Sequence, residues 1–310
     1  MQLHLNGYGA KADTLRERAK NRKYHQFYIP KAQGEKRLIE TPDDALKSLQ
    51  GQLNKHFQAA YLLVRPAAAY GSLIACSDEA EPCNIYTNAL RHIGSKWLLN
   101  ADIRKFFPGI HVKMVRKALQ TAPFSFDDEA AECLLALTTY ENRLPTGAPT
   151  SPILANIVCL SLDERLQQLA DEYKWNYTRY IDDLTFSGKK RFSLKHLTAI
   201  EAALGAMGFA MNHEKLRISR VEDKPVVTGL VLRKKRPDVS KPFLENLRQH
   251  IRLFQTMTTD AMLDKQIFSA TLVQRYRSFI NGQLQFVQFI RGEGDKAYLE
   301  LQAAFQPRTY

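Results

Sequence analysis

Three aspartates stand where the sequence predicts the ends of β-strands. Asp102 lies within an apolar run, WLLNADIRKFF (97–107), that favours a buried strand, where an unpaired carboxylate would be costly. Asp182 and Asp183 lie in YTRYIDDLTFSG (177–188), between two β-prone runs that predict a hairpin. Carboxylates gathered from separate strands can hold two metal ions for nucleotidyl transfer. These residues therefore predict an acidic metal site, with plain solvated turn residues as the alternative.

Magnesium suits such a site, because few carboxylates bind it and substrate phosphates complete its shell. We expect two Mg²⁺ ions, with Mn²⁺ as a substitute. Successive strand residues point to opposite faces, so both hairpin acids can face one metal only if the backbone turns there. We therefore expect Asp182 to ligate firmly and Asp183 more loosely.

The surrounding sequence predicts a mixed α/β body followed by an all-helical C-terminal piece. Residues 24–40 favour two strands around Gly34, and RLPTGAPTSP (143–152) is a loop that leads into a long helix. Strands are predicted at 215–219 and 226–233. After Pro237 the periodicity is helical to the end, so 234–238 is a plausible boundary.

Composition favours a soluble protein that meets a polyanion. The 310 residues are 45% hydrophobic, and the net charge is +12. Such an excess favours phosphate contacts, and the basic residues concentrate in 1–40 and 231–310. No apolar window reaches the roughly 20 residues of a membrane helix, and no signal peptide is visible. We expect a cytoplasmic protein with no membrane partner.

The four cysteines are spaced too irregularly for a zinc site or a disulfide framework.

Several motifs together resemble those of reverse transcriptases. NADIRKFFPGI, LPTGAPTSPILAN and YIDD match motifs A, B and C in order and spacing. GEKRLIETP resembles the fingers motif, GFAMNHEKLRIS resembles motif D, and VVTGLVL falls at the primer-grip position. NALRH (88–92) resembles the N-A-x-x-H signature of retron reverse transcriptases, and Val227-Thr228-Gly229 resembles their V-T-G triplet. The resemblance covers roughly residues 24–233.

This resemblance implies an α+β right-hand polymerase. Its fingers and palm would contain an antiparallel palm sheet with helices, and its thumb would be helical. The implied domains are an N-terminal region with fingers (1–95), a palm (96–236) with an inserted fingers segment (about 111–150), and a thumb (237–310).

The resemblance also implies roles for the site residues. Asp102, Asp182 and Asp183 would be the catalytic metal ligands, joined by the backbone carbonyl of Ile103. Phe107 would exclude a ribose 2′-OH, with a plain core phenylalanine as the alternative and Phe106 as its core-facing competitor. The remaining nucleotide contacts would be Lys31 and Arg37 on the triphosphate, Thr146 and Gly147 beneath the nucleotide, and Lys215 as proton donor to pyrophosphate. A solvated strand residue is the alternative for Lys31, and a surface lysine is the alternative for Lys215.

Two positions depart from the family pattern. Gln commonly stands where this chain has Thr146, and retron enzymes commonly carry Ala where it has Ile181. Thr lacks the reach of the Gln amide, so the contact with sugar or phosphate is in doubt and fidelity could change. Ile181 should tune activity rather than abolish it.

RNA contacts are implied in three regions. For Asn88 and His92, a buried hydrogen-bonding role is the alternative to RNA recognition. For the four arginines of the implied thumb, the alternative is a position on a helix face that contacts only solvent. The implied RNA-binding residues are Asn88, His92, Thr228, Gly229, Arg248, Arg252, Arg275 and Arg277.

The leading hypothesis is a retron-type RNA-directed DNA polymerase. It would bind a cognate structured noncoding RNA, prime from an RNA 2′-OH and use deoxynucleoside triphosphates to make single-stranded DNA that stays attached to the RNA. The resemblance further implies anti-phage defence with a separately encoded effector protein. The alternatives are a group II intron-like or other bacterial reverse transcriptase, and a catalytically silent RNA-binding scaffold of a defence complex.

Overall fold

A computed structural model describes residues 17, 20–30, 34–74, 82–258 and 268–306 of the chain. Two compact units divide between Arg220 and Val221. The predicted domain limits at 95 and 236 stay a prediction. No helix in the described ranges is long and apolar enough to cross a bilayer.

Residues 24–42 of the first unit form the expected hairpin. Strands β1 (Tyr24–Pro30) and β2 (Lys36–Pro42) pair antiparallel, and Gly34 in the turn has φ 79°. Helix α1 (Asp44–Leu62) follows, capped by Asp43, whose side chain accepts a hydrogen bond from the Leu46 amide at 2.9 Å. The hairpin leaves most of its residues exposed.

Helices surround the central sheet of the first unit. Helix α6 (Ser151–Val158) is mostly apolar, and all its residues except Pro152 are buried, which makes it the centre of the core. It packs against α1 and α4 (Val112–Gln120), while α7 (Leu160–Tyr173) packs on strand β4 (Asn176–Tyr180). The helices after α1 are α2 (Ile85–Leu90), α3 (Phe106–Gly109), α4 (Val112–Gln120), α5 (Asp128–Thr138), α6 (Ser151–Val158), α7 (Leu160–Tyr173) and α8 (Leu194–Ala206).

The central sheet has four antiparallel strands in the order β4-β5-β3-β6. One face of it joins the core through side chains such as Leu99, Leu184 and Phe186. Each such burial contributes roughly 1.5–3 kcal/mol. The strands are β3 (Trp97–Asp102), β4 (Asn176–Tyr180), β5 (Asp183–Gly188) and β6 (Arg217–Arg220).

In the residues that the structure describes, the second unit combines a small sheet with three helices. Strands β7 (Val226–Val227), β8 (Leu230–Leu232) and β9 (Pro237–Asp238) pair antiparallel in that order. Helices α9 (Lys241–Met257), α10 (Ala270–Arg291) and α11 (Lys296–Phe305) pack pairwise against one another. The structure thus has the mixed α/β body and the helical C-terminal piece that the sequence predicts.

Candidate active site

Sheet register brings the three aspartates to one end of the central sheet. Strand β3 ends at Asp102, which lies directly opposite Asp183 at the start of β5. The next amide along the chain, that of Ile103, donates a 3.0 Å hydrogen bond to the carbonyl of Asp182. The Asp102 side chain is 8% exposed, so protein surrounds much of one carboxylate of this group.

The hairpin that carries the other two acids turns over two residues. Tyr180 pairs with Asp183, which leaves Ile181 and Asp182 at the tip. Ile181 adopts φ 61°, a left-handed conformation that a β-branched residue rarely takes. Holding one residue in such a region costs on the order of 1–3 kcal/mol. Surrounding contacts must therefore hold this turn in place.

Electrostatics at the sheet end reflect the crowding of negative charge. Loss of solvent, and then the nearby Asp102 carboxylate, raise the pKa of Asp182. Partial loss of solvent raises the pKa of Asp183 to about 6, and the charges of Asp182 and Asp102 add to the effect. The negative charge of Asp102 therefore disfavours ionisation of Asp182 and Asp183, and a cation would relieve this repulsion.

Two side chains from one segment engage Asp102. The Lys215 ammonium lies 2.8 Å from Asp102 Oδ2, and the Asn212 amide nitrogen donates to Oδ1 at 3.1 Å. The bond to Asp102 raises the pKa of Lys215. Lys215, predicted as a proton donor, is therefore a charged ammonium next to the acids, and its side chain is still 59% exposed.

The acids fit an open magnesium site rather than a closed metal cage. Among the residues that the structure describes, no three His, Cys, Asp or Glu side chains converge as a complete ligand set. Magnesium in phosphoryl transfer needs only one or two carboxylates, since waters and phosphates fill its shell. The repulsion among Asp102, Asp182 and Asp183 fits binding of a divalent cation. Their role as ligands, and that of the Ile103 carbonyl, stays a prediction.

The predicted nucleotide contacts lie on three elements. Arg37 is exposed on β2, and its charge lowers the pKa of Asp182 against the opposing effects. Phe106 is 4% exposed and packs on Phe209 with centroids 5.8 Å apart, whereas Phe107 is only half-buried. Phe106 thus lies in the core, and Phe107 lies at the margin of the core. Lys31 lies outside the described residues.

The loop with Thr146 and Gly147 is tied to strand β2. The Glu40 amide donates to the Thr146 carbonyl at 2.7 Å. Gly147 has φ 124°, and a Cβ there would lie 2.9 Å from Ile39 Cγ2, so the close approach requires glycine. The Arg143 guanidinium forms two hydrogen bonds with the buried Glu40 carboxylate, one of 2.8 Å to Oε1 and one to Oε2.

A buried arginine lies beneath the hairpin turn. Arg179 on β4 is 0% exposed, and its guanidinium bonds to both carboxylate oxygens of Asp163 on α7. It also reaches Asn156 on α6 and the carbonyl of Ile181. This pairing satisfies a charge that would otherwise be very costly in a protein interior.

The predicted RNA-binding residues lie in different environments. His92 is fully buried and bonds Ser187 Oγ through Nδ1 at 2.9 Å and Thr178 Oγ1 through Nε2 at 2.8 Å. Burial lowers its pKa to about 3, so it stays neutral. Asn88 is also buried. The two bonds of His92 match the alternative hydrogen-bonding role, and RNA recognition by either residue stays a prediction.

The other predicted RNA contacts belong to the second unit. Thr228 and Gly229 form the two-residue turn between β7 and β8, both with positive φ. Four arginines are exposed on α9 and α10, namely Arg248, Arg252, Arg275 and Arg277. Their accessibility fits phosphate contact, which stays a prediction.

Sequence reasoning passed over the residues that support the acids. A charged residue inside the apolar strand of YTRYIDD is a usable signal, because a buried arginine requires an acidic partner. Its partner Asp163 lies on the preceding helix, 16 residues earlier, and Glu40 and Arg143 are 103 residues apart, so no local pattern reveals these pairs. The residues missed are Glu40, Arg143, Asn156, Asp163, Arg179 and Asn212.

Comparisons with known proteins agree with this geometry. The family described as reverse transcriptase (RNA-dependent DNA polymerase) matches residues 29–264. The retron Ec83 reverse transcriptase of Escherichia coli is 30% identical, over 67% of this chain and 68% of its own length. The retron Mx65 reverse transcriptase of Myxococcus xanthus is 31% identical over 90% of this chain, but the chain spans only 64% of that relative's length.

A solved structure supports the fold. Telomerase from Candida albicans, in complex with a fragment of telomeric RNA, aligns with a TM-score of 0.52 at 11% identity over 96% of this chain and 59% of its own. The chain belongs to the reverse transcriptase family, in its retron-type group. The prediction of an α+β right-hand polymerase fold is confirmed.

Proposed function

We propose that this protein is an RNA-directed DNA polymerase of the retron type. The observation that carries the proposal is the position of Asp102, Asp182 and Asp183 at the same end of the central sheet, in a chain of this family. Their mutual repulsion fits binding of divalent cations. Two Mg²⁺ ions, or Mn²⁺, held by these carboxylates and the Ile103 carbonyl would supply Lewis-acid chemistry at the primer hydroxyl and the triphosphate.

The residues around the acids would bind and orient the incoming nucleotide. Arg37 offers a fixed positive charge to the triphosphate, and Lys31 would add a second. Phe107 would lie beneath the sugar and exclude a 2′-OH. Thr146 and Gly147, tied to β2, would form the floor.

Lys215 would act as the proton donor to the leaving pyrophosphate. As the primer oxygen loses its proton and bonds to the α-phosphorus, the bond to pyrophosphate breaks. The leaving oxygen gains negative charge, and the Lys215 ammonium can donate a proton to it. In the structure that ammonium contacts Asp102, and the Lys215 side chain is 59% exposed, which supports this role.

The retron assignment adds a product and partners. By analogy with its relatives, the protein would bind a cognate structured noncoding RNA, prime from a 2′-OH within it and leave single-stranded DNA attached. The exposed arginines of α9 and α10 would contact RNA phosphates and duplex shape. Deoxynucleoside triphosphates would be its substrates, a separately encoded effector its protein partner, and anti-phage defence in the cytoplasm its role.

Primer extension on an RNA template tests the activity. The wild type should incorporate deoxynucleotides, and Asp182→Asn combined with Asp183→Asn should abolish incorporation. Asp171→Asn, an exposed aspartate on α7, is the matched control and should retain full activity. Equal activity in the wild type and the double variant would refute the proposed site.

Nucleic acid extracted from cells that carry the native locus tests the retron product. A DNA species joined to RNA should appear with the wild type and be absent with the double variant. Polymerase activity in the purified protein without any such species would leave a reverse transcriptase of another bacterial type.

A further inference from the structure

We propose that Arg179 is a positioning residue, which acts through the Ile181 carbonyl to hold Asp182 and Asp183 in their reactive arrangement. The proposal rests on the proposed polymerase function, since nucleotide addition is the reaction that it affects. Arg179 is 0% exposed, so we place it behind the site rather than against the substrate. It belongs to a buried network that encloses the turn from two sides.

The first side is the guanidinium itself. Nε donates to Asp163 Oδ1 at 2.7 Å, and Nη2 donates to Oδ2 at 2.6 Å. Nη1 donates to Asn156 Oδ1 at 2.9 Å and to the Ile181 carbonyl at 3.1 Å. Each of the three guanidinium nitrogens donates a hydrogen bond, so the plane of the guanidinium is fixed. Only one position of the Ile181 carbonyl then completes this set of hydrogen bonds.

The second side is the segment around Gly71. The Asn156 amide nitrogen donates to the Gly71 carbonyl at 3.0 Å, and the Tyr70 amide donates to the Arg179 carbonyl at 2.9 Å. A Cβ at Gly71 would lie 2.7 Å from both the backbone nitrogen and Cγ1 of Ile181. The turn therefore rests against a glycine that leaves no room for a side chain.

The turn needs this support because its backbone is strained. Ile181 has φ 61°, and a β-branched residue relaxes from that region when nothing opposes it. Asp182 and Asp183 follow immediately, so relaxation at Ile181 would displace both carboxylates. A displacement of about 1 Å at a reacting centre can lower a rate on the order of 100-fold.

Single-turnover nucleotide addition on an RNA template, measured over a range of deoxynucleotide concentrations, tests the proposal. Arg179→Lys keeps the charge for Asp163 but loses the planar fork, and Gly71→Ala presses on the turn without altering any charge. Both should lower the maximal rate roughly 30- to 100-fold, with the apparent Kd for the nucleotide within about threefold of wild type. Tyr177→Phe, which removes only a hydrogen bond to Asp163, is the control and should stay within about threefold.

A second substitution separates positioning from general stability. Glycine adopts φ 61° without strain, so Ile181→Gly added to Arg179→Lys should recover at least about tenfold of the lost rate. Folded Arg179→Lys and Gly71→Ala variants with wild-type rates would overturn the proposal, as would a rate loss that Ile181→Gly leaves unchanged. If Arg179→Lys does not fold, Gly71→Ala with its thermal midpoint still decides. An inactive wild type would instead refute the polymerase function itself.

Discussion

Two arginine–carboxylate pairs lie near the candidate active site, and they differ in their access to water. Arg179 and Asp163 are both 0% exposed. Arg143 is 16% exposed, and its partner Glu40 is 1% exposed. Both pairs form two parallel hydrogen bonds, so their local geometry is similar. Burial sets them apart, because a charge that cannot reach water depends entirely on its partner.

The pairs also hold different parts of the site. Arg179 fixes the turn that carries Asp182 and Asp183, whereas Glu40 fixes the loop with Thr146 and Gly147. The fully buried Arg179–Asp163 pair thus supports the proposed metal ligands. The more accessible Arg143–Glu40 pair supports the loop proposed to lie beneath the nucleotide. If this division is correct, damage to the first should lower the rate of chemistry, and damage to the second should weaken nucleotide binding.

The largest expected effect follows from breaking the buried pair. Asp163→Ala leaves the Arg179 guanidinium without a counter-charge in the interior, so the free energy of unfolding should fall by about 3–5 kcal/mol. Denaturant unfolding measures it. Tyr177→Phe, which removes one hydrogen bond to the same carboxylate, should cost only about 1 kcal/mol. A loss below about 1 kcal/mol for Asp163→Ala would show that the interior tolerates the unpaired arginine.

A smaller and different effect is expected at the accessible pair. Arg143→Gln leaves Glu40 without its strongest partner, which should cost about 1–3 kcal/mol and loosen the Thr146–Gly147 loop. The KM for deoxynucleotides should rise about tenfold, or about 1.4 kcal/mol, while kcat changes less than about threefold. The control is Arg116→Gln, whose partner Glu132 is 62% exposed, and it should change both constants less than twofold. A fall in kcat with unchanged KM for Arg143→Gln would contradict the division of roles.

His92 is a neutral counterpart to both pairs, and its effect on stability appears only as the pH falls. Burial lowers the pKa of His92 to about 3 from the ordinary 6.5. Between these two pH values the unfolded chain binds a proton at His92 and the folded protein does not. Its contribution to stability is therefore present above pH 6.5 and is lost as the pH falls towards 3, by about 1.4 kcal/mol per pH unit. Unfolding between pH 7 and about pH 5 should show a shallower slope for His92→Gln than for the wild type. Equal slopes would mean that His92 is protonated in the folded protein.

The sequence predicts the acids of this site better than it predicts their supports. Asp102 stands out because a charge inside an apolar strand demands a reason, and the hairpin around Asp182 and Asp183 follows from alternating β-prone residues. Register then places Asp102 opposite Asp183. The partner of Arg179 lies in the preceding helix, and Glu40 and Arg143 are 103 residues apart. Such pairs form only through the tertiary fold, so local patterns do not reveal them.

Local sequence patterns also fail to predict the left-handed conformation of Ile181. Backbone preference disfavours φ 61° at Ile181, and the contacts with Arg179 and Gly71 come from residues of the tertiary fold. His92 illustrates the reverse case. Its motif resembles one associated with RNA recognition, yet its two ring nitrogens bond to Ser187 and Thr178 inside the sheet.

The most direct measurement of the proposed function is the single-turnover rate of one deoxynucleotide addition on an RNA template by the wild type and by Asp102→Asn. The amide keeps the shape of the side chain and removes the charge that meets Lys215. Removing a proposed metal ligand should lower the rate about 1,000-fold or more, equivalent to about 4 kcal/mol, while the thermal midpoint changes little. A rate within about tenfold of wild type would contradict the proposal that these carboxylates catalyse polymerisation.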